Sequence, residues 1–85
     1  MVTKKVKITC PNGIHLRPAG KLSSLALDYS CTIQLKKENR ASNVKSVLSL
    51  LGSCTKQNDE VEIVCDGEDE QEALDMVVQF LENMD

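Results

Sequence analysis

The sequence predicts a two-layer α+β sandwich: a four-stranded, mostly antiparallel sheet covered on one face by three helices. Three observations carry that prediction. Three short stretches alternate apolar and polar residues with period two, a fourth follows a polar turn as the return strand of a hairpin, and three others repeat apolar residues every three or four positions. The two kinds follow one another as strand, helix, strand, strand, helix, strand, helix. Strands with one apolar face need a cover, and amphipathic helices supply it.

Val6, Ile8 and Cys10 alternate with Lys5, Lys7 and Thr9, the pattern of a strand with one buried face. Pro11-Asn12-Gly13 breaks it with turn chemistry at every position. Leu22, Leu25, Ala26 and Tyr29 then recur at helical spacing, so a first helix is expected over about 16–27, ended by Asp28-Tyr29-Ser30. Cys31, Ile33 and Leu35 alternate with Thr32, Gln34 and Lys36 as a second strand. Lys37-Glu38-Asn39-Arg40 reads as a polar turn, and a third strand over 40–43 completes a hairpin. Val44, Val47, Leu48 and Leu51 are spaced for one face of a short helix. Ser46 stands at its start, where serine caps well, and Gly52-Ser53 offers a stop.

Lys56-Gln57-Asn58-Asp59 is a turn. Val61, Ile63 and Cys65 alternate with Glu60, Glu62 and Val64 as a fourth strand, closed by Asp66-Gly67. The clearest helix is expected over about 69–83. Leu74, Val77, Val78 and Leu81 form its stripe, extended by Ala73 and Met84. Glu68, Asp69, Glu70 and Glu72 crowd its N-terminus, where negative charge complements the helix dipole. That role is simpler than a metal or docking site, and no metal is expected.

Composition narrows the function. The 85 residues are expected to form one domain, 1–85, with one modest core. Tyr29 and Phe80 are the only aromatics, so Leu, Val, Ile and Ala must build that core. A net charge of −3 argues against direct nucleic-acid binding. No apolar run approaches the roughly 20 residues of a membrane span, and no export signal is visible. Cys10, Cys31, Cys54 and Cys65 form no Cys-x-x-Cys pair, so a zinc or redox motif is not expected. They read as free thiols in a reducing cytoplasm, although spacing alone leaves a disulfide open.

The chemistry centres on Gly13-Ile14-His15-Leu16-Arg17-Pro18-Ala19. His15 is the only histidine and falls at the mouth of the first helix. Pro18 fits the first turn, where its missing N–H would have had no partner. A helix mouth offers free N–H groups and the positive end of the dipole to an anion. Arg17 adds a planar cationic fork suited to phosphate oxygens. A lone histidine is ordinarily a surface or capping residue. With arginine and a helix N-terminus beside it, the imidazole instead suits a histidine that takes and gives a phosphoryl group. No general acid, base or metal cluster accompanies it, so a covalent relay is expected rather than a turnover enzyme, with no cofactor.

At this point the chain resembles the HPr family, the histidine-containing phosphocarriers of the bacterial phosphoenolpyruvate-dependent sugar phosphotransferase system. The likeness covers the whole length. Residues 13–19 resemble the family's active-site motif, and Asn43-Val44-Lys45-Ser46-Val47-Leu48 resembles its regulatory serine motif in the Gram-positive form. The resemblance implies an open-faced sandwich with sheet order 1-4-2-3. It implies that His15 accepts a phosphoryl group on Nδ1 from phosphorylated enzyme I and passes it to EIIA domains of sugar permeases. Arg17 and the backbone N–H groups of Leu16 and Arg17 would steady the phosphoryl oxygens. Ser46 would be modified by an ATP-dependent HPr kinase/phosphatase, and the modified form would bind the catabolite control protein as corepressor.

Docking is expected on an apolar patch beside His15 formed by Leu16, Gly20, Val47, Leu48 and Leu51, with Lys21 and Lys45 at its rim. Plain core packing is the simpler role for one of Leu48 and Leu51. A cytoplasmic monomer is expected. The alternative is a regulatory paralogue acting mainly through Ser46 as an interaction module or corepressor; His15 favours the relay. The chain departs from the common family pattern at Gly20, where Thr or Ala is usual, and at Cys54 and Asn58, which replace turn glycines. With Gly52 two residues before Cys54, the end of the second helix is left open.

Overall fold

Why the four strands form one sheet follows from their pairing. In a computed structural model, which describes residues 1–84, the elements are β1 (Val2–Lys7), α1 (Leu16–Ala26), β2 (Thr32–Lys37), β3 (Arg40–Asn43), α2 (Val47–Gly52), β4 (Glu60–Asp66) and α3 (Glu70–Glu82). The sheet has the expected order β1-β4-β2-β3, and every pair is antiparallel. Register sets the faces. Val6 opposes Val61, Ile33 opposes Cys65 and Leu35 opposes Ile63, all buried on the helix side. On the open side, Lys5 and Lys36 both oppose Glu62, and Lys7 opposes Glu60, so opposite charges alternate across the strands.

The helices close the inner face. Leu22, Leu50 and Leu81, one from each helix, are fully buried with Ile8, Ile33, Leu35 and Ile63. No aromatic ring joins the fully buried set; Tyr29 and Phe80 are half-buried at its edge. The stripe expected on α3 is the one buried: Ala73, Leu74, Val77, Val78 and Leu81.

Three expectations need correction. The first strand lies earlier than its alternation suggested, because Lys4 occupies an inner-face register position opposite Ile63 yet stays exposed, which hides the period. Ile8 and Cys10 are buried beyond the strand; Ile8 trades backbone bonds with Asp59 (2.8 Å) and Asn58 (2.7 Å) where the ladder gives out into a turn. On α1, Leu25 is 38% exposed while Pro18, Ala19 and Ser23 are buried beside Leu22 and Ala26. On α2 the buried residue is Leu50. Leu48 is 82% exposed, Val47 and Leu51 are half-buried, and Val44 is buried before the helix begins. A helix of six residues is too short for periodicity to define its face; its ends do so instead.

The acidic cluster also acts differently from a simple cap. Asp69 holds the N-cap position of α3, but its carboxylate reaches across to the residues just before β2, accepting from the N–H of Ser30 (2.8 Å), the N–H of Cys31 (2.9 Å) and Ser30 Oγ (3.3 Å). These bonds, the Ser30 N–H foremost, hold its pKa down to about 2. Glu70 reaches back to the turn before the helix, accepting from the N–H of Gly67 (3.2 Å). Gly67 has φ +150° and lies so close to Cys31 that an added Cβ would fall 2.6 Å from that residue's Cα.

All four cysteines are free thiols. Burial pushes the thiols of Cys31 and Cys65 up, that of Cys65 to about 11. Cys54 alone is exposed among them.

Leu50→Ala is expected to cost about 2–5 kcal/mol and Leu48→Ala less than about 0.5 kcal/mol in urea unfolding. Equal costs would contradict the orientation of α2. Asp69 is more acidic folded than unfolded, so its contribution is present above about pH 4 and is lost as pH falls towards 2. Asp69→Asn should therefore lower the melting temperature at neutral pH and flatten its decline between those values. Alkylation of the native protein by iodoacetamide should add one group, at Cys54, with the other three cysteines labelled only after unfolding; peptide mass spectrometry reads the sites.

Candidate functional site

The stretch 11–15 is fixed from below. The Gly13 N–H donates to the Cys10 carbonyl (3.0 Å), closing a turn over Pro11 and Asn12. Gly13 takes φ +62°, and a Cβ there would lie 2.3 Å from the Thr55 carbonyl oxygen, so the position admits only glycine. The next N–H, of buried Ile14, donates to that same oxygen (3.1 Å). The chain then enters α1 with His15 as its N-cap.

His15 has extended backbone angles (φ −103°, ψ −171°), and its carbonyl accepts from the Ala19 N–H (2.9 Å) to begin the helix. The imidazole makes no capping bond and is half-buried, so its ring nitrogens are not consumed by the helix. Leu16 and Arg17 have no intrahelical acceptor for their N–H groups, and Pro18 has no N–H. The first turn carries no acidic residue, and Arg17 is exposed with no ion pair among the described residues. Residues 15–17 thus bring an imidazole, two backbone donors and a cationic side chain to the positive end of a helix, a set of groups able to bind an anion.

The support under this mouth was not visible in the motif. Thr55 belongs to the loop between α2 and β4, some 40 residues downstream. Its hydroxyl is buried against Ser53 Oγ (2.8 Å), which also bonds the Leu50 carbonyl (2.6 Å). Helix α2 runs through Gly52, Ser53 remains right-handed (φ −69°), and Cys54 turns the chain at φ +53°. The stop expected at Gly52-Ser53 is therefore made by a cysteine. Lys37 Nζ holds that turn by donating to the Cys54 carbonyl (2.9 Å) while pairing with Asp59 (2.8 Å). The bond from Lys37, with that from the Lys56 N–H, holds the Asp59 carboxyl below the usual range. Asn58 takes φ +74°, which asparagine tolerates.

The second motif lies on a helix packed against α1. Ser46 is the N-cap of α2, its Oγ accepting from the Ser49 N–H (3.2 Å). Of the expected docking residues, Leu16 is 67% exposed, Leu48 is prominent, and Lys21 is exposed. Gly20 is half-buried with open space where a Cβ would stand. Val47 and Leu51 are turned partly into the core. Lys45 departs from the rim role: it is half-buried, and its ammonium donates to the Tyr29 carbonyl (2.6 Å), tying α2 to the end of α1. None of the helices in the described residues is long and apolar enough to cross a membrane.

Residues 2–83 match the family model described as "PTS HPr component phosphorylation site". The chain is 33% identical to the phosphocarrier protein HPr of Lysinibacillus sphaericus, over 99% of this chain and 96% of that protein. It is 30% identical to the HPr-like protein Crh of Bacillus subtilis, over 96% of each. The fold superimposes on a crystal structure of HPr-C-His from Thermoanaerobacter tengcongensis with a TM-score of 0.92 at 29% identity, covering 96% of this chain and 92% of the other. The chain belongs to the HPr family, the phosphocarriers of the phosphotransferase system.

Proposed function

We propose that His15 is the phosphoryl acceptor of this phosphocarrier. The observation that carries this is an imidazole with no capping bond at the mouth of α1, two residues before an exposed arginine with no ion pair among the described residues. In the proposed step, Nδ1 of the neutral ring attacks the phosphorus of phosphorylated enzyme I. A phosphorus–nitrogen bond forms to His15, the donor's bond to phosphorus breaks, and its electron pair stays with the donor. The guanidinium of Arg17 and the N–H groups of Leu16 and Arg17 face the negative oxygens. The reverse geometry releases the group to EIIA domains of sugar permeases. The lability of a phosphoramidate suits onward transfer.

Regulation is proposed at Ser46 by an ATP-dependent HPr kinase/phosphatase. A phosphoserine at this N-cap would keep accepting from backbone N–H groups, so α2 tolerates it. On a helix packed against α1, its added negative charge would oppose acidic partners and weaken uptake at His15. Binding of the phosphorylated form to the catabolite control protein belongs to the same proposal. The accessible His15 supports a relay over a purely regulatory paralogue.

With enzyme I and phosphoenolpyruvate, intact mass and phosphorus NMR should show one acid-labile phosphoryl group on the wild type and none on His15→Ala. Arg17→Ala should slow transfer about 10- to 100-fold, the loss of one charged hydrogen-bonding partner at about 1.5–3 kcal/mol. A phosphorylated His15→Ala would refute the assignment. With an HPr kinase and ATP, the acid-stable phosphate should map to Ser46 and slow subsequent uptake at His15; the absence of phosphoserine would remove the regulatory half.

A further inference from the structure

A second surface stands apart from His15. A groove of about 520 Å³ runs between the C-terminal end of α1 and the outer side of α3. Leu25, Tyr29, Met76 and Phe80 line it, and Glu72 and Asp75 stand on its α3 wall. Both aromatic residues of the chain, half-buried against the edge of the core, line this one groove. Aromatic and methionine side chains offer large contact area at a surface and are the usual anchors of an interface. From His15 to Leu25 is about 15 Å along the helix axis, so the groove leaves the helix mouth free.

Charge says what would fill it. All ten Lys and Arg lie within residues 1–56, and eleven of the thirteen Asp and Glu lie after them. The groove lining contains no basic side chain. Lys45 reaches Tyr29, but its ammonium is bonded to the backbone carbonyl there. We infer that this groove docks a cationic amphipathic helix of a partner protein, its apolar face over Tyr29, Met76 and Phe80 and its Lys or Arg residues against Glu72 and Asp75. The pairing of an apolar floor with an acidic wall selects that chemistry over an acidic or uniformly apolar segment. Such a partner would leave His15 free and would bind while phosphoryl transfer continues.

The test is an NMR titration of the isotope-labelled chain with a synthetic amphipathic helix of lysine and leucine, beside its glutamate–leucine counterpart. Shifts should concentrate at Leu25, Tyr29, Met76 and Phe80 with the lysine peptide, and binding should weaken as salt rises. Glu72→Lys with Asp75→Lys, both exposed, should weaken it about tenfold or more. Leu25→Asn, a second exposed change that leaves the charge intact, should also weaken it, and both variants should retain phosphorylation by enzyme I at the wild-type rate. Four results would overturn the proposal: equal binding of the glutamate peptide, shifts centred on Glu60 and Glu62, undiminished binding by the variants, or groove shifts on raising protein concentration without peptide, which would make a second copy the occupant.

Discussion

One carbonyl oxygen organises the site. The Thr55 oxygen occupies the space a side chain at position 13 would need and accepts the Ile14 N–H. That contact fixes where the chain leaves its turn, and so where α1 begins and which way its mouth opens. His15 inherits its place from this seat, since its own ring makes no cap bond. Thr55 is set in turn by the buried Ser53 hydroxyl and by Lys37, which draws the Cys54 carbonyl and Asp59 together. A site that looks local in sequence thus rests on a loop from the other half of the chain.

That support includes a strained residue. A side chain in the left-handed region costs roughly 1–2 kcal/mol, and Cys54 takes that conformation without the exemption glycine enjoys. The turn persists because the Lys37 ammonium and the backbone bonds of Ser53 and Cys54 to Leu50 and Leu51 over-determine it. Gly52 sits two residues too early to relieve the strain. The same loop therefore combines a support for the site with a local cost, offset by packing of buried Ser53 and Thr55 on either side of exposed Cys54.

The core sets a complementary condition. With aliphatic side chains and buried thiols filling the space between sheet and helices, the two rings are left half-buried at its edge. The outer sheet face is stabilised by alternating Lys and Glu across strands rather than by a second layer. One layer of helices is enough because the outer face of the sheet is mostly polar and charged, with Val64 of β4 its one buried apolar residue. Both motif-bearing helix starts lie on that covering layer, which brings His15 and Ser46 onto packed neighbours.

The sequence by itself determined the element order, the strand faces, the α3 stripe and the two helix starts. These follow from short-range periodicity and from residue types with local preferences: proline in a first turn, serine at a cap, asparagine in a left-handed turn. Only the tertiary structure decided which side of α2 is buried, because six residues do not carry a period and Leu50 faces inward through the anchoring of the helix ends. It also decided that Asp69 bridges to Ser30 and Cys31 before β2, that Lys45 serves Tyr29, and that Cys54 turns the chain. Each is a contact between residues distant in sequence or a conformation imposed by such contacts, and local pattern holds no record of it. The same limit applies to Gly13: its neighbours mark a turn, but the need for glycine comes from an oxygen 42 residues away.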